Sequence, residues 1–370
     1  GKPLNAYIDG FIRSDHESTT AEEALEKVSR GMQVLVREGT AAKNLEAIIK
    51  VINMSNQSSF SFCTDDREPL DIIEEGHIDF LIKKAIRFGL DPVIALRMAT
   101  INTARHYNLR SMGAIAPGYK ADMVVVDNLE NFNIKMVIKD SRIVAEEGET
   151  SKPMTGLHND LPETIGAVTL SPYDLETFRI AAPAERGTLQ VIGVREGDLY
   201  TDSISMEATV QNGYAVADPA KDLAKVLVFD RHAGRSLAKA FAKGFGIDRG
   251  AIATTIGHDS HNLCVLGMND SDMYKAVRRV EELNGGIVAV IGGKIEAELP
   301  LPIAGLMSNK DVDTVVEELA QMKTAIRKMG SKTDILMVLH FIQLAVIPEL
   351  KVTDLGLVDI GKQEFVPLFR

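Results

Sequence analysis

The sequence predicts an α/β first part built on parallel strands, followed by a separate α+β part. Two observations predict it. In the first 125 residues, apolar runs end in polar clusters and helix signals follow, with strand ends about 25 residues apart, the spacing of βα units. From Gly113 that rhythm stops, and beyond residue 165 apolar strands alternate with only two long amphipathic segments. The 370 residues are enough for two or three domains of roughly 150 residues each.

Taken in order, Phe11-Ile12-Arg13 leads to Ser14-Asp15-His16-Glu17, the first strand end. Thr20-x-x-Glu23 reads as a capping box in front of Ala24, Leu25 and Val28, so a helix follows. Gln33-Val34-Leu35-Val36 ends at Arg37-Glu38-Gly39, and Phe60-Ser61-Phe62-Cys63 ends at Thr64-Asp65-Asp66. Ile78, Leu81, Ile82, Ala85 and Ile86 form a stripe with helical spacing that stops at Gly89. Asp91-Pro92 supplies an N-cap and a first-turn proline for a helix running to about His106. Met123–Val126 reads as a strand, and Val137-Ile138 with Ile143-Val144 as a hairpin around Lys139–Arg142. Residues 151–165 are polar with Gly and Pro and read as a linker. In the second part, strands are expected at Leu189–Val194, Val226–Phe229, Leu263–Leu266 and Ile287–Ile291, the last turning at Gly292-Gly293 into Lys294–Leu299. Helices are expected near 271–284 and 311–329. Three βα units cannot close an eight-stranded barrel, which needs ~250 residues. The first part is therefore an open sheet or part of a barrel.

Composition narrows the function classes. With 41 Lys+Arg against 52 Asp+Glu the formal net charge is −11, which argues against nucleic acid as a partner. No apolar stretch approaches the ~18–20 residues of a membrane span. Cys63 and Cys264 are too few for a disulfide framework and read as packed thiols, so a cytoplasmic location is expected. The chain begins Gly1-Lys2 without an initiator Met, which reads as a processed product or a fragment.

Parallel strands of α/β enzymes carry their chemistry at the C-terminal ends. Here those ends hold Asp15-His16-Glu17, Arg37-Glu38 and Thr64-Asp65-Asp66. Imidazole and carboxylate are ligand types for Zn, Fe or Mn, and a carboxylate near metal-activated water serves as general base. The structural alternative is that Asp15 and Glu17 cap the following helix. Glu38 has the acceptors to touch a purine ring, or it forms an internal salt bridge. Asp66 orients an imidazole or caps a helix. His77 and His106 read as packed or helix-end histidines. His258-Asp259-Ser260-His261-Asn262 is dense in ligand types: either His258, Asp259 and His261 help form an active-site lid, or polar side chains hold a turn. The Leu299–Met307 run, with two prolines, reads as a structured loop that closes the site or builds a dimer contact.

Several segments together resemble a known family. SDHEST (14–19), VREGTAAKN (36–44), TDDREP (64–69), EEGHID (74–79) and ATINTARHY (99–107) look like adenine deaminase of the amidohydrolase superfamily. GAIAPGYKADMVVVD (113–127) is similar to the strands that re-enter that superfamily's small β-sandwich. GHDSHNLCVLG (257–267) and LPLPIAGLMS (299–308) resemble the C-terminal domain found with adenine deaminases. The resemblance implies the C-terminal βα units of a (β/α)8 TIM-type barrel over 1–112, β-sandwich strands over 113–150, and an α+β domain over 166–370. It implies a cytoplasmic enzyme of purine salvage that hydrolyses adenine to hypoxanthine and ammonia at a binuclear divalent centre, with Mn or Fe favoured and Zn also compatible. His16 would be a ligand of one metal. Asp65 would be a ligand and the proton shuttle. Glu38, Asp66, His258, Asp259 and His261 are the candidate substrate contacts.

The family's His-x-His pair, its bridging carboxylate and a further histidine are absent from these 370 residues, which carry two of about six ligands. The N-terminal part of the same enzyme is therefore an expected partner, and a homo-oligomer is expected. Two competing functions follow: another cyclic amidohydrolase, or an inactive C-terminal fragment acting only as an interaction module. Other chemistries lack their motifs. There is no P-loop, no G-x-G-x-x-G after a strand, no H-E-x-x-H and no C-x-x-C, nor the H-x-E with P-C-x-x-C of cytidine-type deaminases.

Overall fold

A computed structural model describes residues 1–151, 168–183, 187–195, 198–333 and 335–370. The chain divides into two compact units, Gly1–Leu157 and His158–Arg370. Apart from Ser151, the linker expected over 151–165 lies outside the described residues.

The first unit opens with α1 (Lys2–Asp9), β1 (Ser14–Asp15), α2 (Ala21–Ser29), β2 (Gln33–Arg37), α3 (Leu45–Ile49), β3 (Phe60–Cys63), α4 (Pro69–Glu74), α5 (Ile78–Arg87), α6 (Pro92–Ala99) and α7 (Ile101–His106). β1, β2 and β3 form one parallel sheet in that order, with Asp15 paired to Val34 and Arg37 to Cys63. Because the strands are parallel, all three C-terminal ends lie along one edge. Val34, Val36, Phe60 and Phe62 pack with Leu45, Ile48, Leu81, Ala85 and Met98 from the helices into one core.

Local signals explain the helix limits. Thr20 accepts the Glu23 N–H at 3.2 Å and so caps α2. The return contact differs from a full capping box, since the Glu23 carboxylate accepts from the N–H of Thr19 at 3.1 Å. Asp91 caps α6 through the N–H groups of Val93 and Ile94. The single helix expected to run to His106 is in fact two. Thr100 (φ −129°, ψ −94°) breaks it, and Asn102 in α7 is buried, donating to the carbonyls of Gln57 and Phe60 at 2.7 and 3.0 Å. Those bonds tie α7 to the start of β3, which a straight continuation of α6 would forgo.

β4 (Met123–Val126), β5 (Ile134–Lys139), β6 (Arg142–Glu146) and β7 (Glu149–Thr150) form an antiparallel sheet in sequence order. The β5–β6 turn has positive φ at both Asp140 (48°) and Ser141 (64°), the handedness a two-residue hairpin needs.

The second unit contains β8 (Ile180–Ala181), β9 (Thr188–Val194), β10 (Thr201–Glu207), β11 (Thr209–Gln211), β12 (Tyr214–Val216), β13 (Leu223–Phe229), β14 (Leu237–Lys243), β15 (Ala251–Thr254), β16 (Leu263–Gly267), α8 (Asp270–Glu282), β17 (Gly286–Ile291), β18 (Lys294–Pro300), α9 (Val312–Lys328), α10 (Ile335–Phe341), β19 (Leu350–Thr353), β20 (Gly356–Asp359) and β21 (Glu364–Val366). Its centre is an eight-stranded mixed sheet ordered β10-β9-β14-β13-β16-β15-β17-β18. Strand side chains alternate between two cores. Val226, Val228, Ile252 and Leu266 face Leu319, Met322 and Ile326 of α9. Leu227, Ala253, Val265 and Val288 face Met273, Val277 and Val280 of α8. Covering both faces is why β13, β15 and β16 are buried at every position and are apolar apart from Lys225 in β13 and Thr254 in β15. The strands expected in this unit and its two long helices are all present, whereas in the first unit the strand expected at Phe11–Arg13 forms instead at Ser14–Asp15, because Phe11 is exposed and has positive φ. Among the described residues no helix is long and apolar enough to cross a membrane.

Candidate metal centre

The edge where β1, β2 and β3 end gathers His16, Glu17, Arg37 and Asp65. Each arrives by a different local device. His16 and Glu17 directly follow β1, Arg37 is the last residue of β2, and Asp65 lies two residues past β3 with φ +53°, a left-handed turn that Asp tolerates. His16 Nε2 lies 3.1 Å from Glu17 Oε1 and 3.9 Å from Asp65 Oδ2. Among the described residues, His16, Glu17 and Asp65 are the one grouping of three such side chains whose ligand atoms all lie within 4.8 Å of one another. One imidazole and two carboxylates suit Mn, Fe or Zn and fit part of a divalent centre. A two-metal site needs donors beyond these three.

Arg37 stands inside this group. Its guanidinium is 5% exposed, while His16, Glu17 and Asp65 are 47%, 57% and 39% exposed. Nη1 donates to Glu17 Oε1 at 3.0 Å and to Asp65 Oδ2 at 2.9 Å, and Nη2 donates to Glu17 Oε2 at 2.9 Å. Burial pulls the guanidinium pKa down, but the Asp65 hydrogen bond and the Glu17 and Asp65 charges outweigh it, and the net shift is upward. Glu17 therefore pairs with Arg37 and does not cap α2, whose cap is Thr20. Asp15 does not cap it either: its Oδ2 accepts from Ser18 at 2.7 Å and from Lys27 at 2.8 Å.

Glu38 is 1% exposed, ion-paired to Lys84, and accepts the Leu45 N–H at 3.3 Å. The internal salt bridge that the sequence left open is thus present. Asp66 does not cap α4, which starts after Glu68. Its carboxyl is pushed up to about 6 by burial and then by the Asp65 charge, and its Oδ2 is buried with no hydrogen-bond partner. His77 precedes α5, and its Nε2 pairs with Thr64 Oγ1 at 3.0 Å. His106 ends α7 and meets the Tyr107 ring edge-on. The Cys63 thiol is pushed up to about 12 by burial and the Asp65 charge, and buried Cys264 is likewise pushed up, so both are unreactive packed thiols.

In the second unit, His258 and His261 have ring centroids 5.3 Å apart, and His258 stacks on Phe341 at 4.5 Å. His261 Nδ1 accepts the Gly257 N–H at 3.1 Å, and its carbonyl accepts from Arg231. Asn262 donates to Asp354 at 2.9 Å. Asp259 is exposed and lies 3.7 Å from His258 Nδ1. The turn is held by its own Gly257–His261 hydrogen bonds and by contacts to Phe341, Arg231 and Asp354. Ile303 and Met307 form an isolated bridge that closes the loop after β18.

The sequence singled out His16 and Asp65, and the fold brings them together. It gave Glu17 mainly a helix-start role and Arg37 no partner. The only signal for that pair was the position of both residues at strand ends.

Residues 4–144 match the amidohydrolase family, and residues 198–364 match the adenine deaminase C-terminal domain. The chain is similar to adenine deaminases of Thermosipho africanus (53% identical over 369 residues), Thermosipho melanesiensis (50% over 369) and Kosmotoga olearia (49% over 373). Each match covers 100% of this chain and 64% of the relative, so the chain spans under two thirds of their length. Among solved structures, a beta-aspartyl dipeptidase from Fervidobacterium islandicum AW-1 is 23% identical, with a TM-score of 0.31 over 36% of this chain and 37% of its own.

Proposed function

From the similarity of the whole chain to adenine deaminases we propose that the full-length protein is a hydrolytic deaminase, converting adenine and water to hypoxanthine and ammonia. The observation that carries the proposal is the meeting of His16, Glu17 and Asp65 at the strand ends of the segment that matches the amidohydrolase family. In this proposal the three parallel strands are part of a (β/α)8 barrel, β4–β7 belong to its small sandwich, and the part of the full-length protein outside this chain supplies the remaining ligands.

A divalent cation at this site would acidify water toward a pKa of ~7 and stabilise negative charge on the attacked ring. His16 would hold it through Nε2, and Asp65 through its carboxylate. Asp65 also moves the proton. It takes one from water as the oxygen bonds to C6 of the purine, and delivers it to the exocyclic nitrogen as the C6–N bond breaks and ammonia leaves. Oδ2 of Asp65 is bound to Arg37, so Oδ1 is the oxygen for that traffic. Asp66 is better placed than Glu38 to meet a ring nitrogen, because both Glu38 oxygens are engaged while one buried Asp66 oxygen has no partner.

The direct test is to incubate the full-length protein, loaded with Mn, Fe or Zn, with adenine and with a panel of cyclic amides. Hypoxanthine and ammonia in equal amounts from adenine alone are expected. Turnover of a ring amide in place of adenine would overturn the substrate assignment.

A further inference from the structure

Resting on the adenine deaminase reading, we propose that Arg37 is a positioning residue that holds the Asp65 carboxylate in its working orientation and keeps Glu17 beside it. The geometry gives three reasons. First, Arg37 is anchored at its base. Its Cα pairs with Cys63, the next N–H (Glu38) donates to the Cys63 carbonyl at 3.0 Å, and its own carbonyl accepts from Asn44 at 3.0 Å. The side chain thus leaves a fixed point on the middle strand. Second, its planar fork makes three bonds of 2.9–3.0 Å to three carboxylate oxygens on two different segments. A lysine, as a point charge, cannot match that planar geometry. Third, Arg37 Nη1 is the one hydrogen-bond donor to the Asp65 carboxylate among the described residues. Asp65 lies beyond the strand on a left-handed residue and is 39% exposed, so little else restrains its side chain.

A counter-ion serving only to neutralise charge would fit equally well in solvent. Burying a guanidinium costs free energy unless it is well paired. This one is buried beneath carboxylates that are themselves half exposed, so the cost goes into fixing their positions. Without it, two like charges would face each other with only His16 between them, and Asp65 would be free to rotate. A misplacement of about 1 Å in a reacting group can cost ~100-fold in rate.

The test uses the full-length protein as wild type, Arg37→Gln and Arg37→Lys. Three quantities are measured: Mn2+ affinity by equilibrium dialysis of the metal-free protein, kcat and KM for adenine at saturating Mn2+, and the far-UV circular dichroism melt. For Arg37→Gln the expectation is a kcat about 100-fold lower, KM within about 3-fold, and Mn2+ binding weaker by ~10-fold or more. Arg37→Lys should recover only part of the kcat loss. Wild-type kcat and Mn2+ affinity in a folded Arg37→Gln protein would overturn the proposal. So would tighter Mn2+ binding, which would make Arg37 a competitor of the cation. If Arg37→Gln fails to fold, Arg37→Lys decides by the same two quantities. Should the wild type bind Mn2+ but leave adenine untouched, the deaminase reading fails, and Mn2+ affinity alone still judges Arg37.

Discussion

Asp65 and His16 come from strand ends that β2 separates in the sheet, yet their side chains approach within 3.9 Å. Truncating either takes one of the three candidate ligands from that edge. His16→Ala and Asp65→Ala in the full-length protein should each lower bound metal and reduce turnover by at least ~100-fold, measured by elemental analysis and adenine kinetics. Near-normal activity in either variant would remove it from the centre. A different single-residue effect lies in the second unit. His340 is buried, its Nε2 sits 3.3 Å from Thr254 Oγ1, and burial, then the charges of His258 and His261, pulls its pKa down to about 3. The unfolded chain therefore binds a proton near the ordinary histidine value that the folded chain refuses. Stability should be unaffected above about pH 6.5 and should fall as pH drops toward 3, by up to ~1.4 kcal/mol per pH unit. His340→Gln should flatten that acid-side slope in Tm measured against pH.

At the scale of elements, the site depends on how β2 and β3 turn away from the sheet. Gly39, two residues past β2, passes so close to the next turn that a Cβ there would lie 2.6 Å from Asp66 Oδ1 and 2.7 Å from the Thr64 carbonyl. Gly39→Ala should therefore cost about 1–3 kcal/mol by urea denaturation and lower turnover, because relief requires moving the segment that carries Asp65. An unchanged urea midpoint would mean that the turn relaxes freely. The α2 cap makes a smaller and separate prediction: Thr20→Ala should cost about 1 kcal/mol without touching the centre. Strands, caps and the hairpin were legible because each is set by a few adjacent residues. The break at Thr100 was not, since its cause is Asn102 reaching the carbonyls of Gln57 and Phe60, more than forty residues away.

At the scale of the molecule, the two units bury separate cores: one around Phe60, Leu81 and Met98, the others around the eight-stranded sheet. The second unit holds apolar layers on both faces of its sheet, built from its own strands and helices. Residues 158–370 expressed alone should give one cooperative calorimetric transition. A non-cooperative melt would mean that the division into units is not a division in stability. The family matches follow the same split, with residues 4–144 in the first unit and 198–364 in the second.

The sequence by itself determined most strand ends and helix starts, and it singled out His16 and Asp65 as ligand types at those ends. Periodicity, caps and turn residues act over a few positions, so they can be read along the chain. Only the tertiary structure decided that Glu17 turns to Arg37 and away from the helix it precedes, that Glu38 is spent on Lys84, and that Asp66 keeps a buried oxygen without a partner. Each of those outcomes depends on which groups the packing of strands and helices brings within about 3 Å, and no spacing along the chain encodes that distance.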